Sequence, residues 1–400
     1  MKIGVIREGK VPPDKRVPLS PEQCKIIDDQ PGVEVLVQRS EIRKFTDEQY
    51  EAQGLKVVKS VEDCDVLIGV KEVPINELIS GKKYLFFSHT YKEQPYNRNL
   101  LKAVIEKNVQ LIDWEVITDS NGRRLIAFGR YAGIVGCYNT LLGYGLKSGR
   151  YKLKRACNCD DRVEMERQLE KVNLPKNFKI VITGRGRVGG GAEEIFQKMN
   201  LTKVSPEDFL AKEFDKPVYT QLGVEEYNKM GDDSDFDKAL FYEDPSSFKS
   251  DFLKYARVAD VYVACHYWDS RAPFIFSREE AKDPEWNISI VGDISCDIDC
   301  AVASTLRPST VFEPFYGYDP VSESEVAFDQ EGAISVMAVD NLPCELPKDA
   351  SIDFGAMFIN HVLEPLKGND PEDIIWRASQ TKDGKLTPHF EYLQDYVSKN

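Results

Sequence analysis

Residues 178–192 read FKIVITGRGRVGGGA, an apolar strand running directly into Gly184-x-Gly186-x-x-Gly189 and then the helical run AEEIFQKM. Glycines at this spacing allow a tight turn and close backbone approach, and the helix that follows points its N-terminus at whatever phosphate lies there. The context predicts a dinucleotide-binding turn, with Gly184, Gly186, Arg187, Val188 and Gly189 as cofactor contacts. Its position is equally constraining. It falls mid-chain, behind a complete α/β pattern and ahead of a tail too short to make a domain. The predicted architecture is therefore α/β: two Rossmann-like domains with mostly parallel sheets, the cofactor domain inserted into a discontinuous substrate domain. The boundaries fall at 1–135 and 320–400 for the substrate domain and 136–319 for the cofactor domain, with the active site expected in the cleft at the carboxyl ends of both sheets.

The flanking pattern supports this class. Ser20, Pro21 and Gln23 spell a capping box that starts a helix closing near Gly32. Strand-like runs follow at 33–37, 66–70, 84–88 and 110–114, with helical stretches opening at Thr46 and over 96–108. Such alternation predicts a parallel sheet covered by helices. Residues 131–146 (YAGIVGCYNTLLGYGL) read as a helix interrupted by its glycines, and 151–177 as a polar excursion. Beyond the glycine turn, 259–266 and 287–295 are buried-strand candidates, 332–340 is extended and 351–366 helical.

The second strand of a dinucleotide unit usually ends in an acid that takes the ribose hydroxyls. Here the run is LTKVSPEDF, with Ser205 near that place and Glu207 two residues on. The choice between NAD and NADP therefore stays open.

With 400 residues, 42% hydrophobic and 30% charged, and a net charge of −14 without a basic tract, the chain is predicted to bind no nucleic acid. It opens on a strand, and no apolar run reaches membrane-spanning length. Nine scattered cysteines lack metal-knuckle spacing, so no metal is expected and a cytoplasmic setting with reduced thiols is. Oligomeric state is not legible.

Only four histidines are present, and His89 stands at the end of the apolar run YLFFSH. Upstream, DVLIGV ends in Lys71. Two proton-transfer groups at the ends of neighbouring strands suit amine or imine chemistry near neutral pH, with Glu72 and Glu115 as tuning acids. Arg16, Lys92 and Arg130 border the same strands and would hold carboxylates. Asp340 begins the turn back into the substrate domain. Asp297, after a strand of the cofactor unit, and His266 are placed beside the cofactor.

Taken with KRVPLSPEQC, GVKEVP, FFSHTYKEQ, GRRLIAFGRYAG, ACHYWDSRAP, YDPVSESE and VMAVDNLPCELPKDAS, these residues resemble the lysine-forming saccharopine dehydrogenases over nearly the whole chain. The chain is particularly similar to the lysine–ketoglutarate reductase domain of bifunctional aminoadipic semialdehyde synthases. Alanine dehydrogenase and transhydrogenase are more distant. The resemblance implies saccharopine, or lysine with 2-oxoglutarate, as substrate, NAD or NADP as cofactor, and Lys71 with His89 as the acid–base pair. It also implies that Arg16, Lys92 and Arg130 approach the substrate carboxylates. An alanine-type amino-acid dehydrogenase and a non-catalytic nucleotide-binding module are the alternatives.

Overall fold

The computed structural model describes residues 1–298 and 300–399, and the chain divides into two compact units. The first joins Met1–Phe128 to Pro347–Asn400, and the second is Gly129–Leu346.

In the first unit, β1 (Lys2–Val5), β2 (Glu34–Gln38), β3 (Lys56–Val58), β4 (Val66–Ile68), β5 (Lys83–Phe86) and β6 (Gln110–Asp113) form one sheet. Its order is β3-β2-β1-β4-β5-β6, with every neighbouring pair parallel. Parallel pairing needs crossovers. Among those supplied are α1 (Pro21–Asp28), capped by Ser20 and Gln23 in the predicted box, α2 (Asp47–Ala52) and α3 (Arg98–Glu106). Both faces are covered, and side chains alternate between them. Leu85 joins Ile3, Val5, Ile68 and Trp114 on one side, while Tyr84 and Phe86 join Leu67, Leu100 and Val104 on the other.

The C-terminal segment completes the first of these cores. From the helix Pro347–His361, Phe354 meets Trp114 edge-on at 5.3 Å and stacks on Phe128 at 4.5 Å. Further along, Gln380 N–H donates to Leu111 O at 2.7 Å, and Thr381 Oγ1 accepts from Leu111 N–H at 3.1 Å. The tail thereby covers the edge of β6.

The second unit opens with α4 (Gly129–Ser148) and α5 (Arg162–Gln168). The glycine turn lies between β7 (Lys179–Thr183) and α6 (Arg187–Lys198), followed by β8 (Thr202–Lys203), α7 (Pro206–Ala211) and β9 (Val218–Leu222). A separate antiparallel pair, β10 (Asn228–Met230) and β11 (Phe248–Ser250), precedes β12 (Val261–Ala264) and β13 (Ile290–Asp293). Then come β14 (Phe315–Asp319), β15 (Ser324–Val326) and β16 (Ile334–Met337). The sheet order is β15-β14-β16-β13-β12-β7-β9-β8, parallel except where β14 meets its two neighbours.

The division differs from the predicted boundaries at both ends. Residues 320–346 stay in the second unit because β16 pairs in parallel with β13, Ile290 opposite Ser335. Residues 129–135 open α4, which is one unbroken helix because its glycines serve packing. A Cβ on Gly133 would lie 1.9 Å from Val188 O, and one on Gly191 of α6 would lie 2.0 Å from Arg130 O. The two backbones touch there, and no larger residue fits.

Overpacking such a contact typically costs about 1–3 kcal/mol. Gly191→Ala is therefore expected to lower the melting temperature measurably. Gly186→Ala, whose Cβ would meet nothing within 4 Å, should leave it nearly unchanged. Differential scanning calorimetry of the two variants checks this.

Candidate active site

Four adjacent strands of the first unit, β1, β4, β5 and β6, end at the same edge, and polar residues appear directly beyond each apolar run. After β1 comes Glu8, which is buried; its Oε1 accepts from Val70 N–H at 2.6 Å and its Oε2 from Lys71 N–H at 2.8 Å. Burial pushes this carboxyl up to about 8, the two amides opposing the rise. After β4 come Lys71 and Glu72, after β5 His89, and after β6 Glu115 in the turn Trp114–Val116.

These side chains form a connected set. His89 Nδ1 lies 3.2 Å from Glu115 Oε2, and Nε2 lies 3.9 Å from Glu72 Oε1. The imidazole stacks on Phe87 at 6.3 Å. Lys10 Nζ donates to both oxygens of Glu72, at 2.9 and 3.2 Å. Lys92 Nζ reaches Glu115 Oε1 at 2.8 Å, and Arg124 Nη1 lies 3.6 Å from the same oxygen. Burial works against the Glu115 charge, yet hydrogen bonds from His89 and Lys92 and the nearby Arg124 hold its carboxyl well below the usual range.

Lys71 is pushed towards its neutral form. Burial first, then the Arg16 guanidinium, push its ammonium below the ordinary lysine value, while Asp14 and Glu72 partly restore it. A lysine so placed is available as a neutral base. Arg16 is itself buried, donating from Nε and Nη2 to Asp14 at 3.1 and 2.6 Å and lying 4.2 Å over the Phe128 ring. The geometry thus brings Arg16, Lys71, Glu72, His89, Lys92 and Glu115 into one neighbourhood. Sequence reading missed Glu8, Lys10, Asp14 and Arg124; Arg124 stood within the quoted GRRLIAFGR but carried no signal separating it from a surface charge.

Two of the expected substrate contacts belong to the second unit. Arg130 belongs to the second unit, where its guanidinium grips Glu194 of α6 at 2.6 and 2.8 Å. It lies in the first turn of α4. Asp340 is exposed beyond β16, also in the second unit, because the return to the first unit comes only after Leu346.

In the second unit the glycine turn fits a dinucleotide. Gly184 has φ +94°, and a Cβ there would lie 2.5 Å from Cys265 O; one on Gly189 would lie 2.1 Å from Gly184 O. Gly186 caps α6 and faces open space, so the helix N-terminus, with Arg187 and Val188 in its first turn, is accessible to a pyrophosphate. His266 Nδ1 lies 2.9 Å from Thr183 Oγ1, and burial lowers the imidazole to about 4, leaving it neutral. Its buried Nε2 lacks a hydrogen-bond partner among the described residues. Asp297 is exposed in the loop after β13.

Ser205 is not at the ribose position. It caps α7, accepting from Asp208 N–H at 3.1 Å, and follows β8, which sits at the outer edge of the sheet. The strand beside β7 is β9, so the strand-end acids are Glu225 and Glu226. Arg185 of the glycine turn holds both, at 2.8 and 2.7 Å. Chain order misled here because spatial order is not sequential.

Residues 4–135 match the family model described as "Alanine dehydrogenase/PNT, N-terminal domain". An alpha-aminoadipic semialdehyde synthase of Arabidopsis thaliana is 29% identical over 98% of this chain, which covers 41% of that relative. The chain thus spans less than half the length of such relatives. A saccharopine dehydrogenase [NAD(+), L-lysine-forming] of Candida albicans is 26% identical, covering 94% of this chain and 95% of its own. Among solved structures, an L-alanine dehydrogenase superposes over all of both chains with a TM-score of 0.66 at 16% identity, a likeness of fold.

Because Glu115 is held below its ordinary value of 4.5, its contribution to stability is present above that pH and is lost as pH falls below it. Glu115→Gln is expected to destabilise the protein by about 1–3 kcal/mol at pH 7. That difference should shrink steadily below pH 4.5 in urea titrations.

Proposed function

We propose that the chain is a saccharopine dehydrogenase of the L-lysine-forming kind, catalysing saccharopine + NAD(P)⁺ + H₂O = L-lysine + 2-oxoglutarate + NAD(P)H + H⁺. The observation that carries this reading is the placement of Lys71, depressed by burial, and His89 at the ends of the adjacent strands β4 and β5, with Glu72 3.9 Å from His89 Nε2 and acting on the Lys71 charge. The named relatives support the same reaction. The first unit serves as the substrate and catalytic part and the second as the dinucleotide-binding part.

Bound at the glycine turn, NAD(P)⁺ supplies the hydride acceptor. Neutral Lys71 takes the proton from the secondary amine as the carbon beside it is oxidised to an imine. His89 removes a proton from water as its oxygen adds to the imine carbon. Lys71 returns its proton to the nitrogen as the carbinolamine forms, and the proton on His89 passes to the same nitrogen as the C–N bond breaks. His89 takes up the carbinolamine O–H proton as the carbonyl of 2-oxoglutarate forms, releasing it as the net H⁺ of the reaction. Saccharopine carries three carboxylates, for which Arg16, Lys92 and Arg124 are the nearby cations. Glu225 and Glu226 stand where an acid takes ribose hydroxyls, and Arg185 where a cation takes a 2′-phosphate. Among the described residues no disulfide joins the cysteines, in keeping with a reducing compartment such as the cytoplasm, and no helix is long and apolar enough to cross a membrane.

The test is NADH and NADPH oxidation with 2-oxoglutarate, comparing lysine with ammonium, and with pyruvate plus ammonium. Turnover with lysine and 2-oxoglutarate is expected, and turnover only with pyruvate and ammonium overturns the proposal. Lys71→Met and His89→Gln should each lower kcat by about 10²–10⁴-fold, with dinucleotide binding retained. In the saccharopine direction kcat/KM should rise with pH as Lys71 loses its proton. This limb should lie below the ordinary lysine value of 10.5 and vanish in Lys71→Met.

A further inference from the structure

His89 occupies a conformation that residues with a side chain seldom adopt, with φ 54° and ψ 8°. A left-handed residue at a strand end persists only where its surroundings over-determine it. Here they do. Ser88 and Thr90, on either side, are both fully buried, and each is tied into one polar network. Ser88 N–H donates to Asp113 Oδ2 at 2.9 Å, and Ser88 Oγ–H donates to the same oxygen. Ser88 O accepts from Asn97 Nδ2 at 2.8 Å. Thr90 Oγ1 donates to Gln380 Oε1 at 2.5 Å, and Gln380 Nε2 donates to Asp113 Oδ2 and Ser88 Oγ, each at 3.2 Å. The other oxygen of Asp113 accepts from Glu115 N–H at 2.8 Å.

Asp113 and Gln380 are themselves fully buried. A carboxylate placed there among uncharged donors is a costly way to gain stability alone, since apolar packing of the same volume carries no desolvation penalty. What its two oxygens have in common is their targets. One fixes the turn that carries His89, and the other fixes the backbone of Glu115, whose carboxylate faces the His89 imidazole at 3.2 Å.

We infer that Asp113 and Gln380 are positioning residues: a buried carboxylate–carboxamide clamp that holds His89 in its left-handed turn and sets Glu115 against it. The inference rests on the reading of His89 as an acid–base group. It makes the C-terminal segment part of the catalytic support, since Gln380 lies 267 positions from Asp113 in sequence. In Asp113→Asn the shape is kept, but one end of the side chain becomes a donor facing either Ser88 N–H or Glu115 N–H. Gln380→Leu removes the carboxamide that joins Thr90 to Asp113.

The experiment measures kcat and KM for lysine and 2-oxoglutarate, and the Kd of NADH by fluorescence, well below each variant's melting temperature. The variants are Asp113→Asn and Gln380→Leu, each alone and combined with His89→Gln. Thr387→Val serves as a control, because it breaks a buried bond to Ser379 O in the same tail while leaving the side-chain bonds of Asp113 and Gln380, and the backbone bond from Thr387 N–H to Gln380 O, in place. Misplacement of a catalytic group by an ångström can cost on the order of 10²-fold, so each single variant is expected to lose about tenfold or more in kcat. KM and Kd should stay within about twofold, and neither change should lower kcat further once His89 is Gln. Thr387→Val should keep full turnover. Where Asp113→Asn does not fold, Gln380→Leu carries the test. Losses that remain additive with His89→Gln, or that appear in Kd and KM rather than kcat, overturn the clamp. So does unchanged kcat in both variants while His89→Gln is impaired. If His89→Gln itself retains full turnover, the acid–base reading falls, and the clamp with it.

Discussion

The arrangement of the first unit depends on the register of its parallel ladder. Past the last strand residues, Ile6 N–H still pairs with Ile68 O, Gly69 N–H with Leu85 O, and Phe87 N–H with Val70 O, each at 3.0 Å. Parallel neighbours run about 4.8 Å apart, so residues just beyond these pairs emerge side by side at one edge of the sheet. A slip of one residue would send alternate side chains to the opposite face, exchanging Leu85 with Tyr84 and Phe86 between the two cores. The apolar strands therefore fix where Glu8, Lys71, His89 and Glu115 stand, although none of these residues contributes to either core.

Given that placement, electrostatics decides what each group can do. The edge holds cations and carboxylates in near balance, and pairing is specific: Lys10 with Glu72, Arg16 with Asp14, Lys92 and Arg124 with Glu115. Lys71 stands apart. Its hydrogen-bonded tie in the set runs through its backbone N–H to Glu8, and its ammonium feels burial and Arg16 more strongly than the acids around it. The neutral amine is favoured in this setting. His89 by contrast is flanked by carboxylates on both ring nitrogens, Glu115 at 3.2 Å and Glu72 at 3.9 Å.

Much of this was legible in the sequence, and the failures have physical causes. The strand-end positions of Lys71 and His89 were legible because an apolar run ending in a lone polar residue is what the end of a buried strand looks like. The glycine turn was found because strand, glycines and helix occur in one stretch. The glycines of 129–148 misled, since the same residues that break an isolated helix allow α4 to lie against α6. Ser205 was assigned to the wrong strand end because local pattern does not report which sheet edge a residue will occupy. Asp113 ends a strand as many buried residues do, and its bond to Gln380 joins segments that only the fold brings together. Pairings of that kind leave no local trace.

The central claim is that the strand-end lysine handles the substrate nitrogen, and a crystal structure with saccharopine and the dinucleotide bound tests it most directly. The account predicts the secondary amine nitrogen within hydrogen-bond reach of Lys71 Nζ, about 2.6–3.2 Å, with a water or the equivalent oxygen at similar distance from His89. A well-ordered complex placing that nitrogen against other residues, with Lys71 gripping only a carboxylate, would contradict it.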